Sequence, residues 1–120
     1  MNFKVQAEKM GLDEDEYVEI MDLFIKTTAD NLRQLRSAVK TGDRSKIRQE
    51  THSLKGAALN LGFLEICEIV ERIAKGVQEN SWQELSADIE VIQGRIDWIA
   101  GLLVQRPMED GSRGTPGGDV

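Results

Sequence analysis

The stretch DEDEYVEIMDLFIKTTADNLRQLRSAVKTG, residues 13 to 42, decides the fold class. Asp13 offers a side-chain oxygen to start a helix, Glu16 stands where a capping box needs its second carboxylate, and Leu12 can staple onto Tyr17 across the first turn. From there Tyr17, Ile20, Met21, Phe24, Thr28, Leu32, Leu35 and Val39 recur at three- and four-residue steps, which is one face of a long helix. The pattern stops near Thr41-Gly42.

Outward from this helix the same grammar repeats. Gly11 closes a short helix at roughly residues 3 to 10. Asp43 caps a helix whose buried stripe is Ile47, Leu54, Ala58 and Leu61, and Gly62, which takes the left-handed conformation readily, ends it. Phe63, Ile66, Cys67, Val70, Ile73, Ala74 and Val77 form the apolar face of a fourth helix, with Asn80 as its terminator. Ser81 with Glu84 makes a second capping box, opening a helix in which Trp82, Leu85, Ile89, Ile92, Ile96, Ile99 and Leu103 keep heptad spacing. Val91 and Trp98 fall off that stripe; they mark a dimer contact or widen the buried face, and the second reading is preferred.

The only prolines are Pro107 and Pro116, so nothing of that kind interrupts a helix before them. Four long amphipathic helices joined by two- or three-residue turns pack as antiparallel neighbours. The expected fold is all-α: an antiparallel up-down-up-down four-helix bundle with a short additional N-terminal helix. It occupies residues 1–106, and residues 107–120, rich in Gly, Pro and charge without periodicity, read as a disordered C-terminal tail.

Composition narrows the function classes. The 120 residues, 40% of them hydrophobic, suffice for one compact domain. Twenty-one acidic against 15 basic residues give a net charge of -6, which argues against a nucleic-acid partner. The N-terminus lacks the apolar core of a signal peptide and no stretch of ~20 apolar residues exists, so the chain is expected to be soluble, cytoplasmic and free of the membrane. The single cysteine, Cys67, makes no internal disulfide and reads as a small core residue. The one His and that Cys sit on different helices without ligand spacing, so no metal site is expected.

That His is His52, in ETHSLKGAALNLGF, residues 50 to 63. At ~100° per residue, with Ile47 at the centre of the buried stripe, Leu54 and Ala58 fall within about 20° of it and His52 about 140° away. The imidazole therefore faces out, with Lys55 and Gly56 one turn on along the same side. A lone surface His is usually inert, and Lys55 by itself is an ordinary solvated charge. Gly56 changes the balance, because Gly inside a helix costs about 1 kcal/mol relative to Ala and no core packing asks for a missing side chain there. A partner approaching the His would use the gap.

HSLKGAALNLGF resembles the signature of histidine phosphotransfer (HPt) domains: His-x-x-Lys-Gly, then small residues, then Gly ten positions after the His. His52, Lys55, Gly56, Ala57, Ala58 and Gly62 meet those positions, and the resemblance runs over about residues 3 to 104. It extends to the phosphoacceptor domain of chemotaxis histidine kinases, but the chain has no nucleotide-binding Gly-rich segment and is read as a stand-alone carrier. The resemblance implies that His52 accepts a phosphoryl group from a response-regulator receiver aspartate, or from a sensor or hybrid histidine kinase, and passes it to another receiver. It implies that Lys55 stabilises the phosphoryl charge, that Gly56 clears space for the receiver, and that magnesium comes with the receiver while this chain carries no cofactor.

Imidazole chemistry agrees, since an ordinary pKa of about 6.5 leaves the ring mostly neutral and nucleophilic near pH 7. Members of the family often place Glu or Gln 22 residues after the His to hold the ring, a position filled here by Ala74; Glu71 or Arg72 can serve instead, or be solvated charges. Leu59, about 120° from the buried centre, is a candidate docking contact, as are Met21, Ile25 and Met10, for which half-buried core residues are the equal alternative. A complete bundle is expected to stand as a monomer. The competing readings are a non-transferring docking module for a receiver or kinase, against which the retained His-x-x-Lys-Gly set argues, and an enzyme such as a phosphatase, for which paired carboxylates near His52 are lacking.

Overall fold

The structure, a computed structural model, describes residues 2–79 and 82–105, arranged as α1 (Phe3–Lys9), α2 (Glu14–Thr41), α3 (Arg44–Asn60), α4 (Leu64–Gln78) and α5 (Trp82–Val104), with no strand among the described residues. Local chemistry sets the boundaries. Asp13 accepts from the Glu16 amide at 2.8 Å while the Glu16 carboxylate accepts from the Asp13 amide at 2.9 Å, closing the capping box that starts α2. At the other end Gly42 sits at φ 71°, and the Asp43 amide reaches back to the Ala38 carbonyl at 2.9 Å. Gly62 at φ 77° does the same after α3, with the Phe63 amide 2.9 Å from the Ala58 carbonyl. Asn80, the pairing of Ser81 with Glu84, and residues 107–120 lie outside the described residues.

These tight turns send each helix back along its predecessor. α2 packs on α3 and α5, α4 packs on α3 and α5, and among the described residues the backbones of the diagonal pairs stay further apart, so the four long helices form a closed ring around one core. Tyr17, Met21, Leu32, Leu35, Ile47, Leu54, Val70, Ile73, Leu85, Ile89, Ile92 and Ile96 are fully buried there. Each such side chain contributes about 1.5–3 kcal/mol through burial, more than any one cap. α1 packs on α2, burying Phe3 and Ala7 and setting the Phe3 ring 6.2 Å from that of Tyr17.

Two expectations are corrected. Val91 and Trp98 do not widen a buried face: they are 44% and 55% exposed, because α5 meets its neighbours on one side only. The stripes are also less purely apolar than the spacing suggests, since Ile20, Val39 and Leu61 are half-buried whereas Asn31 and Glu50 are buried. The Asn31 amide donates to Glu50 at 2.8 Å and approaches the Ser53 hydroxyl at 3.3 Å, and Lys46 pairs with the second Glu50 oxygen at 3.2 Å. This knot locks α3 against rotation on α2. The outward face of α3 is fixed with it.

Candidate functional site

α3 presents His52 and Gly56 to solvent, with Lys55 half-buried between them. The His52 ring makes no hydrogen bond among the described residues. Nothing lies within 4 Å of where a Gly56 Cβ would stand, so no internal packing requires the glycine.

The register of α4 against α3 builds the rest of the site. Lys55 Nζ lies 3.5 Å from a Glu71 carboxylate oxygen, and the Cys67 thiol points at the Lys55 carbonyl at 3.8 Å. Followed back down the antiparallel pair, this register sets Ala74 and Lys75 across from His52 and Gln78 across from Arg48. All of them line one groove of about 590 Å³. Its floor is apolar or small, made by Thr51, Val70 and Ala74, and its rim carries Arg48, Lys55 and Lys75 against the single carboxylate of Glu71. The Arg48 guanidinium and the Lys75 ammonium make no hydrogen bond or ion pair among the described residues. The result is an open, net positive trough beside an exposed imidazole, suited to holding an anion on the ring.

The remaining sequence candidates divide. Glu71 reaches the groove, but its carboxylate pairs with Lys55 and makes no hydrogen bond to the His52 ring. Arg72 does not: its guanidinium turns to Asp88 on α5 at 2.9 Å, and that hydrogen bond and charge hold it above the ordinary arginine value. Leu59 is 54% and Met10 40% exposed, and Ile25 is half-buried. Met21 takes the buried-core alternative and is removed as a docking contact, being 0% exposed and part of the hydrophobic core. Cys67 is buried as expected, and burial pushes its thiol up, with Lys55 pulling the other way and Glu71 adding to the rise.

Sequence reasoning missed Arg48, Lys75 and Gln78 in the groove, and Leu23 and Leu64, which are 64% and 63% exposed. Arg48 was within reach, since it stands one turn before His52 on the same face. Lys75 and Gln78 become visible only with the register of α4 on α3.

Among the described residues no three His, Cys, Asp or Glu side chains come together to hold a metal, and no helix is long and apolar enough to cross a membrane. The family model described as Hpt domain matches residues 19–102. Among solved structures, the crystal structure of histidine-containing phosphotransfer protein B (HptB) from Pseudomonas aeruginosa PAO1 is similar, at 26% sequence identity and a TM-score of 0.72 over 88% of this chain and 91% of that one. No curated protein sequence matches the chain.

Proposed function

The chain belongs to the Hpt domain family, and from that premise we propose that it is a phosphorelay carrier in which His52 accepts a phosphoryl group from a receiver aspartate, or from a histidine kinase, and hands it to another receiver. Hpt domains take part in phosphorelays as phosphocarriers rather than as kinases or ATPases. The observation that supports His52 is its position: the one histidine of the chain stands exposed at a net positive groove, beside a lysine and a helical glycine whose missing side chain nothing in the fold uses.

In the transfer, the lone pair of one ring nitrogen forms the N–P bond as the P–O bond to the aspartate breaks, and the carboxylate leaves with that electron pair. The transition state is loose and its charge is spread over three equatorial oxygens. Lys55 lies beside those oxygens, and Gly56 lets the receiver's backbone approach. A magnesium ion held by the receiver would supply further charge neutralisation, and no residue of this chain is assigned to hold it. The carrier acts as a monomer in the cytoplasm, and Leu59, Met10 and Ile25 contribute apolar contacts to the receiver.

The test is transfer of radiolabel from a panel of phospho-receivers to the purified protein, with His52→Gln alongside. Acid-labile, alkali-stable label on the wild type alone is the expected result. No label from receivers competent with another Hpt protein would remove the carrier reading and leave a docking module.

A further inference from the structure

The chain carries a net charge of -6, yet the groove beside His52 gathers three cations and one carboxylate. Two of the cations, Arg48 and Lys75, have no partner among the described residues, and the third, Lys55, is held by Glu71 at 3.5 Å. We propose that this groove is a charge-exchange seat: Glu71 neutralises Lys55 until the phosphoryl group arrives on His52, and Lys55, released, then joins Arg48 and Lys75 in holding the phosphoryl oxygens. The proposal rests on His52 being the acceptor and adds the residues that receive the group once it is there.

Arg48 stands one turn before His52 on α3 and Lys55 one turn after it, and all three line the same groove, so a group on the ring has a cation of its own helix on either side. Lys75 closes the third side from α4. Ala74, across from the imidazole, is too short to fill the space between them.

The exchange itself is inexpensive. The Lys55 and Glu71 side chains are 42% and 62% exposed, and an ion pair that open to water is weak. A phosphoryl group brings about two negative charges, so it outcompetes one carboxylate for Lys55 and repels that carboxylate toward solvent. No covalent bond to Glu71, Arg48 or Lys75 forms or breaks; only the ion pairs change.

The experiment uses the full chain and the variants Arg48→Gln, Lys75→Gln and Glu71→Gln, each at an exposed position and each checked for an unchanged melting temperature. Inorganic phosphate is titrated into each protein and followed by backbone amide shifts. Separately, each is loaded from a phospho-receiver, and both the partition of label between receiver and His52 and the half-life of the phosphohistidine are measured. Arg48→Gln and Lys75→Gln are expected to weaken phosphate binding and move label back to the receiver by about two- to fivefold, and Glu71→Gln to do the reverse by a similar factor. Partition and phosphate affinity unchanged in all three variants would overturn the proposal while leaving the carrier intact. If the wild type takes no label at all, the carrier reading fails on its own, and the phosphate titration alone decides the seat: variant-dependent binding keeps it as an anion site, and its absence removes it.

Discussion

Asn31 on α2 donates its side-chain amide across 2.8 Å to the carboxylate of Glu50 on α3, two residues before His52, and both residues are buried. Asn31→Ala deletes that donor and leaves a buried carboxylate supported by Lys46 alone. A loss of about 1–3 kcal/mol is expected, read from the urea midpoint. An unchanged midpoint would mean that the pair plays no part in holding α3 to α2.

Gly56→Ala separates folding from function. The added methyl meets nothing within 4 Å and removes a helix-weakening residue, so thermal or urea denaturation is expected to show a gain approaching about 1 kcal/mol. Transfer from a phospho-receiver is expected to slow in the same protein. A variant that is more stable and equally fast would show that the gap serves no partner.

Leu59 and Met21 should fail in opposite ways. Leu59→Asp changes an exposed position and should leave stability within about 0.5 kcal/mol while slowing transfer about tenfold, the equivalent of 1.4 kcal/mol of lost docking. Met21→Ala empties a fully buried position and should cost about 2–5 kcal/mol of stability. Stopped-flow transfer beside calorimetry distinguishes them, and a Leu59→Asp protein that unfolds early would place that leucine in the core.

Alkaline pH should destabilise the protein through Cys67 first. Its thiol is pushed above the ordinary 9.0 by burial, so the unfolded chain releases the proton at a pH where the folded one keeps it. The contribution is complete below about pH 9 and is lost as the pH climbs through the raised folded value. Buried Tyr17, raised above 10.0, adds a second decline at higher pH. Urea midpoints from neutral to alkaline pH should fall less steeply in Cys67→Ala than in the wild type. Parallel curves would assign the fall elsewhere.

What the sequence disclosed follows the range of the interactions. The Asp13 capping box and the ends at Gly42 and Gly62 depend on contacts within a few residues, so they were legible in full. The outward direction of His52 was legible too, because helical periodicity fixes a face from one reference residue such as Ile47. Periodicity does not say how wide the buried arc is, which is why Trp98 was placed inside it and Met21 was left between core and docking contact. Nor does it flag Asn31 and Glu50, each an unremarkable polar residue until the other helix supplies its partner. That Glu71 pairs with Lys55 and Arg72 with Asp88, so that neither holds the His52 ring, required the register of α4 on its neighbours, which turn length alone leaves open.

The groove opens on one side of a closed ring of helices, and the chain has a single histidine to place in it. If the proposed carrier role holds, donor and recipient take turns at the same doorway. Throughput would then depend on how soon each visitor leaves, and a stronger grip on either one would hold up the traffic of both.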